Sequence, residues 1–298
     1  MGSRGMRIPI AAAAALAATL VFAGHALAYQ SGTVGYDVSY PQCGTAAPAS
    51  RFIASRTTAS TTTARTTGTW WSVQRHPSTV SAPKRTWYTV TPIFKNFGII
   101  GVDQGAPFAN SPGNPCLARE YSQAPNPGLY LNTGFDPSYV TNHMNASCQT
   151  QSAAVNGTQG QRDAWTVGCS EVVGDYAYTS SQGIASAAGW WLDVETANSW
   201  CGLHGVNCDQ SFNQFALQGM IDELSHIGAV PIGIYSNNFA WSSIMGALAV
   251  TGATADWYAS GTSSVQQAKA YCSASYRFSG SPVTLVQFFG TIDQDYAC

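Results

Sequence analysis

The feature that most constrains this chain is a series of seven short apolar runs, most of which end in a polar side chain. TVGYDVS (33–39), FGIIGVD (97–103), GLYLNT (128–133), WWLDVE (190–195), VPIGIYS (230–236), ADWYAS (255–260) and VTLVQF (283–288) all read as strands. Several are near-continuously apolar rather than alternating, the pattern of strands buried on both faces in a parallel arrangement. Between the fourth and fifth lies the clearest helix, 211–227. Ser211 and Gln214 have capping-box spacing, and Phe212, Phe215, Ala216, Met220, Leu224 and Ile227 form one apolar stripe. Gly228 ends the helix before Pro231. WWLDVE, this helix and VPIGIYS therefore make a β-α-β unit.

The polar strand ends are Asp37, Asp103, Asn132 with Thr133, Asp193 with Glu195, and Ser236 with Asn237. In a closed parallel barrel such ends meet on one rim, where substrates bind. An open doubly wound sheet would use only a switch point, and no GxGxxG or P-loop marks one. The expected fold is thus α/β, a TIM-like irregular β/α barrel in a single domain.

The N-terminus stands apart from this pattern. Arg4 and Arg7 precede an apolar stretch from Ile8 to Ala23, and Ala26-Leu27-Ala28 supplies the small residues of a cleavage site. Residues 1–28 read as a signal peptide, with the barrel over 29–298; a retained anchor is the alternative. The apolar stretch is short for a membrane span, so no stable membrane insertion is expected. The eight cysteines are scattered without metal-type CxxC spacing, and export favours disulfides. A sequence-adjacent scheme pairs Cys43 with Cys116, Cys148 with Cys169, Cys201 with Cys208, and Cys272 with Cys298. The chain is expected outside the cell or in its wall, as a monomer.

From 45 to 92 the composition shifts to Ser, Thr, Ala and Arg, too poor in apolar residues to repay the entropy of ordering. This is read as a long, disordered low-complexity insert after the first strand, with a basic tether to anionic wall polymer as the functional reading. Without it and the signal, roughly 220 residues remain, enough for one barrel. The net charge of -2 hides the insert's basic residues beside an acidic body, since every acid but Asp37 lies at or beyond Asp103. Nothing in that body suggests a nucleic-acid surface.

On strand WWLDVE, side chains alternate, so Asp193 and Glu195 share a face and their backbones sit about 6–7 Å apart. Two carboxylates so close do not both ionise easily, and the more buried one is expected to hold its proton. Glycoside hydrolysis needs this arrangement, one protonated acid for the leaving oxygen and one carboxylate. Capping a helix, holding an arginine and binding calcium are the competing uses of such a pair. Arginine is scarce in the body, and aromatics crowd the strand ends: Tyr36, Tyr130, Trp200, Tyr235 and Trp257 are candidate stacking platforms for sugar rings. His143, His204 and His226 lack HExxH spacing, and no GxSxG elbow is present. No cofactor and no metal site are expected.

GYDVSYPQ (35–42), WWLDVE, GIYSNNFAW (233–241), DWYAS (256–260) and VQFFGTIDQDY (286–296) together resemble, in order, the strand motifs of the family 25 glycoside hydrolases, lysozymes that cut peptidoglycan. The Ala/Gly-rich, Lys-poor body points to a bacterial source, and the chain is similar to a divergent, secreted branch of actinobacterial type. The resemblance implies a barrel of about eight strands with its site at the C-terminal rim. It implies Glu195 as general acid and Asp193 assisting, by stabilising the cation or orienting an N-acetyl group. Asp37 and Asp293 would be further acids lining the cleft, with Gln287 beside them contacting substrate. Phe288 stands where that family usually has Tyr, and segment 104–127 is unlike it.

Three readings follow. The first is a secreted hydrolase of cell-wall glycan, a β-1,4-N-acetylmuramidase whose partner is an N-acetylated polysaccharide. The second is a non-catalytic glycan-binding or wall-associated protein on a hydrolase-like barrel. The third is a structural protein with calcium held by Asp193, Glu195 and Asp293.

Overall fold

In the computed structural model, which describes residues 29–42, 95–248 and 250–298, eight strands close into a barrel. They are β1 (Val34–Val38), β2 (Gly98–Gly101), β3 (Gly128–Asn132), β4 (Trp190–Asp193), β5 (Ile232–Ser236), β6 (Ala255–Ala259), β7 (Val283–Phe288) and β8 (Gln294–Ala297). Each of the seven expected runs contains one of the first seven strands, and these pair in parallel in chain order. The eighth strand departs from the expected pattern: β8 runs antiparallel to both β7 and β1. Only residues 289–293 separate it from β7, too few for a crossover, so the chain can only turn back on itself. The result is a mixed α/β barrel, not an all-parallel one. The expected signal peptide, the 45–92 insert and Cys43 lie outside the described residues.

The helices are α1 (Leu117–Gln123), α2 (Tyr139–Asn142), α3 (Ala146–Ser152), α4 (Gln159–Ser181), α5 (Ser211–His226), α6 (Asn238–Ile244) and α7 (Val265–Ala268). None of the described helices is long and apolar enough to cross a membrane. Helix α5 occupies the expected span, and Gly228 follows it in the left-handed region at φ 74°. The expected capping box does not form. Asp209 Oδ1 accepts the Ser211 N–H at 2.9 Å instead, and Gln214 donates to Met245 O at 2.9 Å.

Strand β4 shows why its sequence is apolar throughout. Trp191 points inward, packed with Phe97, Ile99, Trp257 and Leu285. Trp190, Leu192 and Val194 point outward, into the layer shared with Ala216, Leu217, Met220 and Leu224 of α5. Gly233 on β5 makes room for the indole, because a Cβ there would lie 2.2 Å from Trp191 Cζ3. Tyr29 stacks on Phe97 at 4.3 Å between ring centres, beside the start of β3.

Helix α4 was not expected. Its buried residues include Trp165, Thr166, Val167, Cys169, Ser170, Glu171 and Val172, which leave no single apolar stripe to read. A capping box of Thr158 and Gln161 starts it. It lies backbone to backbone against α5, since a Cβ on Gly168 would fall 1.9 Å from Ala216 O and one on Gly219 2.1 Å from Trp165 O. Disulfides join Cys148 to Cys169, Cys201 to Cys208 and Cys272 to Cys298, as in the sequence-adjacent scheme.

Candidate active site

Asp193 closes β4 on the inner face, two residues before Glu195, while Val194 between them packs in the outer layer. Glu195 lies beyond the strand, yet the backbone there is held. Val194 N donates to Tyr235 O at 2.9 Å, Ser236 Oγ to Val194 O at 2.7 Å, and Asn198 N to Glu195 O at 3.2 Å. The two carboxyls therefore look into one cavity of about 280 Å³ at the C-terminal ends of the strands.

Asp37, Tyr130, Asn132, Asp193, Glu195, Tyr235, Trp257, Gln287, Phe289 and Asp293 line that cavity. Of the residues singled out in the sequence, Asp37, Asp193, Glu195, Asp293, Tyr130, Tyr235, Trp257 and Gln287 are brought together here. Two are not. Trp200 is fully buried in the outer core, and Tyr36 packs against the same layer on the outer face of β1. The register explains Tyr36: it and inward-facing Asp37 are consecutive on one strand, so they face opposite ways.

The electrostatics are those of acids crowded away from water. Burial pushes Asp193 well above the carboxylate range, with Glu195, Asp103 and Asp37 adding repulsion. Its Oδ1 is buried without a hydrogen-bond partner. Loss of water raises Glu195 and Asp293 as well. Asp37 is pushed up to about 7 by burial and then by Asp293, against the lowering effect of hydrogen bonds from Gln287 and Asp295. An acid holding a proton near neutrality beside ionisable partners is the condition for general acid catalysis.

Two contributors, Asp295 and Phe289, were not expected, and a third, Asn132, was read only as a polar strand end on the rim. Asp295 on β8 is fully buried beneath Asp37 and accepts Trp257 Nε1 at 2.7 Å; burial and the charge of Asp37 raise it well above the ordinary carboxylate range. Asn132 lines the wall, held by Asp103, which accepts its backbone N–H at 2.7 Å and its side-chain amide at 2.6 Å. Phe289, 57% exposed, stands at the mouth, whereas Phe288 packs in the outer core. The alternation of Asp295 and Ala297 along β8 was the available signal for Asp295.

Among the described residues, Asp193, Glu195 and Asp293 do not form a group whose ligand oxygens all lie within 4.8 Å of one another. Such a group exists elsewhere, formed by Asp103, Glu171 and Asp175.

No protein-family model matches the chain, and no curated protein does. Among solved structures, it is similar to a muramidase from Trichobolus zukalii, with 16% identity, 69% of this chain and 83% of that chain covered, and a TM-score of 0.40. A muramidase from Acremonium alcalophilum shows 15% identity, the same coverage of 69% and 83%, and a TM-score of 0.38. Likeness at these scores assigns nothing to this chain.

Proposed function

We propose that the chain is a secreted glycoside hydrolase of cell-wall glycan, of the β-1,4-N-acetylmuramidase type, with Glu195 as general acid. The observation that carries this reading is the convergence of Asp37, Asp193, Glu195 and Asp293 in one open cavity lined by Tyr130, Tyr235 and Trp257. The aromatics offer faces and edges to a sugar: Tyr235 and Trp257 meet edge-on at 4.6 Å and Tyr130 and Trp257 at 6.3 Å between ring centres.

Glu195, half-buried and desolvated, donates its proton to the glycosidic oxygen as the bond to the anomeric carbon breaks. Positive charge then develops on the sugar, and the acidic walls stabilise it. Asp193, deeper and beside Glu195, orients the substrate's N-acetyl group. Water adds at the anomeric carbon, its proton returning to Glu195. No cofactor takes part. Export accords with three disulfides among the described residues.

The test is release of reducing ends from purified peptidoglycan by wild type and Glu195→Gln. A loss of about a hundredfold or more in the variant is expected. Equal activity in both, or none in wild type on any peptidoglycan, overturns the proposal. Intact saccharide bound without turnover by both proteins would establish the glycan-binding alternative instead.

A further inference from the structure

Behind the cavity wall, the end of β2 meets α4 through three acids. Asp103, Glu171 and Asp175 are each completely shielded from solvent, and one oxygen from each lies within 4.8 Å of the others. Glu171 and Asp175 sit four residues apart on α4, one turn along the same face.

Their hydrogen bonding leaves these charges uncompensated. Asp103 is satisfied: Oδ1 accepts from Gly105 N at 2.8 Å and Asn132 Nδ2 at 2.6 Å, and Oδ2 accepts Asn132 N. Glu171 Oε1 accepts Phe108 N, but Oε2 is buried with no partner. Neither oxygen of Asp175 meets a donor at bonding geometry, the Asn110 carboxamide being its one electrostatic aid. Arg119 bonds Cys116 Sγ, Arg162 bonds Gly157 O and Gln159, Lys269 lies over the Tyr296 ring and Arg277 acts on Asp256, while His143 stacks on Phe108 in the cleft beside the trio. Burying one unpaired carboxylate is costly, and three together are untenable without a cation or shared protons.

We propose that Asp103, Glu171 and Asp175 bind a calcium ion between the end of β2 and the middle of α4. The donors are all hard oxygens, and calcium accepts such ligands at about 2.3–2.6 Å in irregular geometry. Oxygens around one such ion stand no more than about 4.6–5.2 Å apart, and the group's separations stay within 4.8 Å. Magnesium demands a tighter octahedron and keeps its waters, which a fully buried trio does not favour. A surface cleft lined by Phe108, Asn110, Ser170 and Gly174 lies beside the acids, Phe108 being bonded to Glu171 and Asn110 acting on Asp175. The ion gathers loop 104–114 onto α4 through Glu171 and Phe108. It also fixes Asp103, and with it Asn132 in the cavity wall. The sequence conceals the trio because its members lie 68 and four residues apart on elements that only the fold joins.

The experiment uses the full, disulfide-bonded protein stripped with EDTA, with calcium chloride titrated in a calorimeter and melting followed in parallel. One calcium per chain is expected, with melting raised by about 5 °C at a hundredfold excess over Kd. Asp175→Asn and Glu171→Gln, which remove charge while keeping shape, should each lose the response. Asp193→Asn should keep it. No heat of binding and no melting shift in wild type overturns the proposal, as does a response that survives in either α4 variant. An equal response to magnesium overturns the assignment to calcium. Should one variant fail to fold, the wild-type titration and the other variant still decide the matter, and none of these readouts depends on glycan cleavage.

Discussion

Gln287 donates its side-chain amide to Asp37 Oδ2 at 3.2 Å while its carbonyl oxygen accepts the Tyr235 hydroxyl at 2.7 Å. One carboxamide thus joins β1, β5 and β7 across the cavity floor. Its bond lowers the proton affinity of Asp37, opposing burial. Gln287→Leu should therefore leave Asp37 protonated to higher pH and orphan the Tyr235 hydroxyl. Activity on peptidoglycan is expected to fall at least about tenfold, a hydrogen bond to a charged group contributing about 1.5–3 kcal/mol. Tyr235→Phe, which leaves the bond to Asp37 in place, should cost less. Equal losses in both variants would contradict this division of labour, and initial rates of reducing-end release would show it.

The crowded acids fix the direction of the pH dependence of stability. Asp37 changes from an ordinary value of 3.8 to about 7 on folding. Between those values the folded chain holds a proton that the unfolded chain has released, so folding is favoured at low pH. That advantage is lost as pH rises through about 7. Asp193 and Asp295, also raised by burial, act in the same direction. Melting measured in EDTA should be highest below about pH 5 and fall by several degrees by pH 8, with Asp295→Asn flattening the decline. A melting temperature that climbs over that interval would show that the cluster is not desolvated.

Asp193 sets stability against activity. The residue is only 6% exposed and its Oδ1 is buried without a partner, so ionising it is unfavourable. Asp193→Asn should raise the melting temperature at pH 8 while cutting activity about a hundredfold or more. Calorimetry and turnover on the same preparation test both halves. A variant that is inactive and also less stable would place Asp193 among structural groups.

Gly233→Ala probes the barrel interior. The new Cβ would fall 2.2 Å from the Trp191 ring, which is held edge-on to Trp257 at 5.6 Å between centres. Overpacking of this kind costs about 1–3 kcal/mol. Urea unfolding should show that loss, with a shift in Trp fluorescence. An unchanged midpoint would mean that the indole can move aside.

The strands were legible because burial on both faces writes a continuous apolar run, as in Trp190–Leu192, and the barrel's rim writes polar residues at their ends. Alternation alone put Asp193 and Glu195 on one face. What escaped was whatever lacked such a signature. Helix α4 buries polar and apolar residues on several sides and meets α5 through Gly168 and Gly219, so no stripe marks it. Strand β8 is four residues long and half polar, and Asp295 went unread with it. Trp200 has an aromatic's ambiguity: the same ring serves a cleft or a core, and here the core holds it. Asn132 was legible as a polar strand end, but its anchor was not, since the bond to Asp103 spans 29 residues that no local pattern joins.

The return of β8 has one further consequence. Because it zips between β1 and β7, the ring has its seam where the two ends of the barrel's sequence meet, and Gln287 reaches Asp37 across 250 positions. The cavity straddles that seam. A chain halted before residue 294 keeps Asp193 and Glu195 but leaves Trp257 without Asp295 and Asp37 without its neighbour beneath. The pocket's floor therefore depends on the last strand, which brings Asp295 to both Trp257 and Asp37.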